Sequence, residues 1–347
     1  MGSVSADAVT GINLSCAYFA EVVAPIIAAR FPKLRFAAGR LGAGSDVLGL
    51  DDETSRDHDW GLRLSLFVPN EVVELMTAEL DAKLPGSFRG HPTRFAFTGE
   101  TVPRHHIDVS SVTDFLIAHL GFDPCARIGV HDWLSLSGQA VLEVTAGPVF
   151  VDQAGELESV RRLLEWYPDD IWRYALACDW DRIGQELPLM GRAADVGDET
   201  GSRIIAARLA QIVLHLAFLI ERRWAPHAKW FGSAFARLPG ASEVGKAIDA
   251  ALAGTGAAGR QQGIADALQA LLGRQNALGL TGVTTALIPF WDRPYLHPDP
   301  AIAAELLDGI ADSEVRQLPR GRGSIEQRTG NVDVLVNPAA RRAAVVA

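Results

Sequence analysis

The sequence has few cysteines, and their spacing excludes several classes of protein. Cys16, Cys125 and Cys178 are the only three cysteines in 347 residues, and they form neither a Cys-x-x-Cys pair nor a zinc-type spacing. An odd number of widely separated cysteines is not typical of a secreted protein stabilised by disulfides. We therefore expect a reduced, cytoplasmic protein.

Positive charge and long apolar runs are also scarce. The formal net charge is −10, and lysine occurs only at positions 33, 83, 229 and 246. This balance disfavours a general nucleic-acid binder, because gripping a phosphate backbone requires basic surface. The longest apolar segment, residues 212–220, contains His215 and falls short of the roughly 20 residues of a membrane span. Glu21 interrupts any secretory signal, so we expect no membrane partner.

Two kinds of pattern divide the chain near residues 147–148. Before this point, short strand signals alternate with helical ones, whereas helical periodicity dominates after it and is clearest in a helix that opens at Ser202. The sequence therefore predicts an α+β protein. Residues 1–150 would form a domain with a mixed sheet and helices, and residues 151–347 would form an all-helical domain.

The N-terminal part contains the more specific predictions of secondary structure. Apolar spacing predicts a helix over residues 8–30, which Pro25 kinks or divides. Asn70 is a candidate N-cap for the helix that ends near residue 84. The predicted strands are residues 34–38, 57–68, 93–97 and 105–109, and the further helices are residues 111–120 and 127–142.

Two aspartates near the start of the second predicted strand are candidate metal ligands. In Asp57-His58-Asp59 the carboxylates lie two residues apart, so on a strand they project from one face while His58 projects from the other. Carboxylates held this close repel each other unless a cation neutralises them. Oxygen ligands favour Mg²⁺ or Mn²⁺ over zinc.

A third acid and a glycine turn complete the pattern. Asp108 lies between apolar residues in a predicted strand, where it could join the other two carboxylates. Gly44 and Ser45 lie in the turn after the first predicted strand. Glycine allows close approach of a phosphate, and the serine hydroxyl and the backbone N–H groups can bind its oxygens.

This combination resembles the polymerase-β-like nucleotidyltransferase superfamily over about residues 39–110. The stretch GSDVLGLDDETSRDHDWG is similar, more narrowly, to the DUF4037 domain family, as are the segments WYPDDIW, GDETGSR and HAKWFGSAF. His58 is a departure, because the superfamily usually has an apolar residue between the two acids.

The resemblance implies transfer of a nucleoside monophosphate from an NTP to a hydroxyl or amino group of a small molecule, with release of pyrophosphate. Asp57 and Asp59 would hold Mg²⁺ or Mn²⁺, and Asp108 would bind a second ion and take the proton of the acceptor. The helical domain would close the site around that acceptor. The sequence identifies neither the NTP, nor the acceptor, nor the oligomeric state.

Each of these signals also has a simpler explanation. Taken singly, the three acids fit the solvated surface of an acidic protein, and their combination with Gly44 and Ser45 favours a metal site. Lys229 could contact a triphosphate, or it could be a solvated cation at a helix end. Glu143 is an alternative base or a solvated helix acid. Asp46 is interpreted as a solvated loop acid.

Other functions stay open beside transfer. The glycine turn lacks a following Gly-Lys-Ser/Thr and the dinucleotide spacing, which excludes a P-loop and a Rossmann site. The main alternative is a catalytically silent nucleotide-binding module with a regulatory or antitoxin-like role. A transferase that modifies nucleic acid is a third possibility, and it would need only a local basic patch.

Overall fold

The computed structural model describes residues 10–51 and 60–346. The chain forms two compact units, one from Met1–Ile128 with Ala140–Glu165 and the other from Gly129–Gln139 with Trp166–Ala347. The chain therefore leaves the first unit, contributes a short segment to the second, and returns before it continues. The predicted α+β class is confirmed.

The helices are bounded as follows: α1 Gly11–Tyr18, α2 Ala24–Arg30, α3 Asn70–Lys83, α4 Val112–Leu120, α5 Val130–Ser135, α6 Gly138–Thr145, α7 Glu156–Leu163, α8 Asp169–Asp195, α9 Glu199–Ile220, α10 Ala228–Phe235, α11 Ala241–Ala253, α12 Ala257–Ala277, α13 Pro300–Asp308, α14 Ser313–Arg316, α15 Ile325–Arg328, α16 Val332–Leu335 and α17 Pro338–Val346. The strands are β1 Ala37–Gly39, β2 Arg63–Phe67, β3 Ser87–Phe88, β4 His91–Pro92, β5 His106–Ser110, β6 Val149–Asp152, β7 Leu287–Pro289 and β8 Leu296–Pro298.

The first unit is organised by a mixed sheet in the order β5-β2-β1-β6. Strand β2 runs parallel to β5 and antiparallel to β1, and β1 is antiparallel to β6. Side chains alternate between the two faces of such strands. One face therefore buries Ala38, Leu64, Leu66 and Ile107 in the main core of this unit. The other face packs Ala37 and Phe67 into a smaller apolar cluster.

Pro25 explains the division of the first helix. A five-residue π-helical segment, Phe19–Val23, separates α1 from α2, and Pro25 lies in the first turn of α2. Proline has no N–H to donate and its ring clashes with the preceding turn, so it is tolerated at a helix start and not in a helix interior. The sequence predicted this division at the correct proline.

Four predicted elements differ in the structure. Strand β2 begins at Arg63 rather than at residue 57, because Gly61 and Leu62 form a bend, and residues 52–59 lie outside the described part of the chain. Residues 93–97 contribute only an isolated bridge from Phe95 to Arg104. The helix predicted over residues 127–142 is interrupted between α5 and α6, and α3 begins at Asn70 with Pro69, not Asn70, as its N-cap.

In the described part of the second unit, the regular structure is helical apart from one two-stranded ribbon, β7–β8, which the sequence did not predict. Helices α8 and α9 pack together along their buried faces. The indole Nε1 of Trp172 donates to the carbonyl oxygen of Leu219, 2.7 Å away. This bond satisfies the one polar atom of a fully buried indole.

Two helical stretches in the described residues have the length and composition of a membrane span, contrary to the expectation that none approaches it. They are Gly11–Arg30 and Glu199–Ile220. In the most apolar 18 residues of each stretch, 28% and 56%, respectively, are buried. A helix that is apolar around most of its circumference is also typical of a protein core. Length and composition alone therefore do not distinguish the two.

Candidate functional site

The glycine turn after β1 is built around a buried ion pair. The guanidinium of Arg40 contacts the Asp46 carboxylate through two bonds, Nε to Oδ2 at 2.7 Å and Nη2 to Oδ1 at 2.9 Å. It also donates to the carbonyl oxygens of Leu41 and Ala43. Asp46 is only 6% exposed. The interpretation of Asp46 as a solvated loop acid is therefore wrong.

Gly44 is required by this ion pair. Its φ is +145°, and a Cβ at this position would lie 2.4 Å from Nη2 of Arg40 and 2.3 Å from Oδ1 of Asp46. The next residue, Ser45, accepts backbone hydrogen bonds from the N–H groups of Leu48 and Leu50. The Arg40–Asp46 ion pair and the backbone hydrogen bonds to the Ser45 carbonyl oxygen together stabilise the turn.

Asp108 lies in the middle of β5, which is an edge strand of the four-stranded sheet. Its Cα pairs in register with that of Ser65 on β2, which in turn pairs with Gly39 on β1. Residues paired in register project from the same face of a sheet. Asp108 is exposed, so its carboxylate is accessible on the face that carries Gly39, the residue from which the glycine turn departs.

His119 and Glu143 form a second polar pair beside the turn. Nδ1 of His119 lies 2.8 Å from Oε2 of Glu143, and both side chains are about four-fifths buried. The backbone carbonyl of Glu143 accepts from the N–H of Gly42 at 2.8 Å. A Cβ on Gly42 would lie 3.8 Å from the His119 ring. Glu143 is the alternative base predicted from the sequence, whereas His119 carries no sequence signal that predicted it.

The histidines before Asp108 have structural roles. His106 Nε2 donates to the Phe95 carbonyl oxygen at 2.8 Å, and its ring stacks on Phe97 at 3.7 Å between centroids. Burial lowers the pKa of both His105 and His106. Neutral rings of this kind support the strand that presents Asp108.

The other predicted site residues are distributed as follows. Asp57 and Asp59 lie outside the described residues, so their positions relative to Asp108 stay a prediction. Within the described ranges, no three or more His, Cys, Asp or Glu side chains form a cluster that could hold a metal ion. Gly44, Ser45 and Asp108 belong to the first unit, whereas Lys229 lies at the exposed start of α10 in the second. The Nζ atom of Lys229 lies 4.9 Å from the centroid of the Trp230 ring.

Comparison with known proteins confirms the narrower resemblance. Residues 133–231 match the family DUF4037, described as a domain of unknown function. The matched range contains the segments WYPDDIW and GDETGSR, but not the stretch with the glycine turn and the two acids. No curated protein matches the chain.

Among solved structures, one similar chain is a nucleotidyltransferase-like protein from Exiguobacterium sibiricum 255-15. It shares 11% sequence identity, and the alignment covers 92% of this chain and 88% of that one with a TM-score of 0.35.

Proposed function

We propose that this protein transfers a nucleoside monophosphate from an NTP to a hydroxyl or amino group of a small molecule and releases pyrophosphate. The observation that carries the proposal is the placement of Asp108. It is an exposed carboxylate in the same strand-to-strand row as Ser65 and Gly39, on the sheet from which the glycine turn departs. The spacing from Gly44 and Ser45 to Asp57 and Asp59 supports the same function.

The carboxylate of Asp108 has the donor chemistry that Mg²⁺ or Mn²⁺ requires. It is the predicted ligand found among the described residues, and Asp57 and Asp59 would complete the set. A divalent cation bound there supplies neutralisation of charge on the phosphate oxygens. Metal dependence is therefore part of the proposal.

The side chains and backbone of the protein would accept the proton, bind the phosphates and position the glycine turn. The oxygen or nitrogen of the acceptor attacks the α-phosphorus, the bond to the β-phosphate oxygen breaks, and Asp108 accepts the acceptor's proton. The Ser45 hydroxyl and the N–H groups of the turn bind phosphate oxygens. The Arg40–Asp46 pair positions that turn, and His119 with Glu143 positions its Gly42 end. Lys229 is the candidate cation for the triphosphate.

The test measures pyrophosphate release from labelled NTPs with Mg²⁺ and a panel of aminoglycosides and other polyols as acceptors. Asp57→Asn should abolish release. Asp249→Asn, an exposed acid on α11, is the matched control and should leave release unchanged. Release that persists in Asp57→Asn would reject the assignment of the metal site. NTP binding without release for any acceptor would instead favour the silent nucleotide-binding module.

A further inference from the structure

A cavity of about 320 Å³ lies wholly within the second unit. Its lining includes the apolar side chains of Ile212, Phe231 and Leu335. The lining also includes the polar side chains of Arg182, His215 and Glu326. Small-molecule sites combine these properties, and their volumes begin at about 300 Å³. We name this space the α9 cavity, because Ile212 and His215 both lie on α9.

A buried aspartate, Asp179, holds two of the polar lining residues in place. Asp179 on α8 has no exposed side-chain surface, and each of its oxygens has a cationic partner. Oδ2 lies 2.5 Å from Nδ1 of His215, and Oδ1 lies 2.8 Å from Nη1 of Arg182. The hydrogen bond at Nδ1 therefore orients the imidazole. Nε2 is the ring atom that can form a hydrogen bond with a ligand.

The protonation of His215 makes Nε2 a donor. Burial by itself would lower the pKa of His215, but the carboxylates of Asp179 and Glu326 raise it to about 9. At neutral pH the ring is an imidazolium, and both of its nitrogens carry protons. Since Nδ1 donates to Asp179, the proton on Nε2 requires its own acceptor.

The side chain of Glu326 faces this donor across a gap. Its Oε1 accepts from the N–H of Gly138 at 3.0 Å. Its Oε2 lies 3.8 Å from Nε2 of His215, which is too far for a direct hydrogen bond. Nε2 of His215 is thus a donor and Oε2 of Glu326 an acceptor, and one group placed between them could form a hydrogen bond with each. A hydroxyl is such a group, because it accepts and donates at the same oxygen.

We propose that the α9 cavity binds a small molecule that carries a hydroxyl group on an apolar body. The hydroxyl oxygen accepts from Nε2 of His215 and donates its proton to Oε2 of Glu326. The apolar body packs against Ile212, Phe231 and Leu335. This site is independent of the proposed nucleotidyl transfer, because none of its residues is among the predicted metal ligands or the turn residues.

Two probes with the same benzyl group test the role of the hydroxyl. Benzyl alcohol both accepts and donates, whereas benzyl methyl ether accepts only. Titrations of each probe into the full-length protein, followed by saturation-transfer NMR, give the two dissociation constants. We expect the ether to bind about tenfold more weakly, because Oε2 of Glu326 then receives no hydrogen bond from the probe. Equal affinities, or no binding of the alcohol, would overturn the proposal.

Substitution of Glu326, the proposed hydrogen-bond acceptor for the hydroxyl, tests the same bridge by changing the protein instead of the probe. Glu326→Gln keeps an oxygen for the N–H of Gly138 and replaces the accepting Oε2 with a donor. It should weaken the alcohol about tenfold and leave the ether nearly unchanged. Glu243→Gln removes the same charge from an exposed position on α11 and should change neither constant.

An apolar lining residue provides a check that does not depend on the folding of the Glu326 variant. Phe231→Ala removes apolar contact area and should weaken both probes alike. Circular dichroism establishes that each variant is folded. If Glu326→Gln fails to fold, the alcohol and ether constants of the unmodified protein still decide the proposal. Alcohol binding that is unchanged in both folded variants would place the probe elsewhere and reject the α9 cavity as its site.

Discussion

Nδ1 of His119 lies 2.8 Å from Oε2 of Glu143, and the same glutamate accepts from the N–H of Gly42 through its backbone carbonyl. One residue of α6 therefore contacts both a histidine of α4 and the glycine turn. Since the turn carries the proposed phosphate contacts, the pair connects the position of those contacts to the packing of two helices.

This connection predicts that Glu143→Gln will act on the turn. The variant keeps the backbone bond to Gly42 but weakens the bond to His119. The free energy of unfolding should fall by about 1 kcal/mol. Pyrophosphate release should fall about tenfold or more, because small misplacements of binding groups are costly in phosphoryl transfer. Urea unfolding and initial rates measure the two effects, and Glu158→Gln on the exposed face of α7 is the control. A loss of stability at full activity would assign the pair a purely structural role.

Asp108→Asn separates catalysis from stability. The side chain is exposed on the edge strand of the sheet, so the free energy of unfolding should change by no more than about 0.5 kcal/mol. Pyrophosphate release should nevertheless fall by at least about 100-fold, because the proposed base and metal ligand is lost. Chemical denaturation and steady-state rates check both values. Normal release from a stable Asp108→Asn protein would remove Asp108 from the site.

Two glycines of the turn region form a matched pair for substitution. Gly44→Ala should cost several kcal/mol, because the added Cβ meets Arg40 and Asp46 in addition to the unfavourable φ of +145°. Gly49 also has a positive φ, +62°, but a Cβ there would meet nothing within 4 Å. Gly49→Ala should therefore cost only about 1–2 kcal/mol for the left-handed backbone. Urea midpoints of the two variants give the comparison, and equal losses would show that the ion pair does not restrict Gly44.

The buried imidazolium predicts a loss of stability in mild alkali. The pKa of His215 is about 9 in the folded chain and 6.5 without its environment. A group whose pKa is raised on folding contributes its full stabilisation below the unfolded pKa and loses it as the pH rises through the folded one. The free energy of unfolding should therefore decline between pH 6.5 and pH 9, by about 2–3 kcal/mol. Burial lowers this pKa, and the groups that raise it are Asp179 from α8 and Glu326 from α15.

Urea unfolding at half-unit steps from pH 6 to pH 10 measures this decline. His215→Gln removes the titrating ring and should flatten the profile over that window. His227→Gln is the matched control and should keep the slope, because His227 also lines the α9 cavity but its Nδ1 accepts from the backbone N–H of Lys229. A His215→Gln profile as steep as that of the unmodified protein would assign the decline to other groups.

The sequence predicted those elements in which burial follows a regular period. Helix α9 was recognised from its apolar spacing, and β1 and β5 were found within a few residues because their apolar side chains alternate with others. The sequence did not predict the ribbon β7–β8, whose strands have three residues each. It also extended β2 backward to residue 57, because a bend at Gly61 and Leu62 has no signature in alternation.

The candidate site was predictable to a smaller extent. Gly44 and Ser45 were identified as a turn, but the reason for the glycine is the guanidinium of Arg40, and an ion pair between loop residues six positions apart has no period to detect. His119 and Glu143 are 24 residues apart and meet only because the chain folds back between them. Asp179 and His215 meet for the same reason, across the interface of α8 and α9.

The passage of the chain between its two units has a practical consequence for dissection of the protein. A cut near residue 150 would separate α5 from the helices it packs with, and the guanidinium of Arg341 would lose the Ser135 carbonyl to which it donates. A fragment that begins after this cut would expose a buried arginine to solvent. Independent production of the helical part therefore requires residues 129–139 to be grafted onto it, for example by circular permutation.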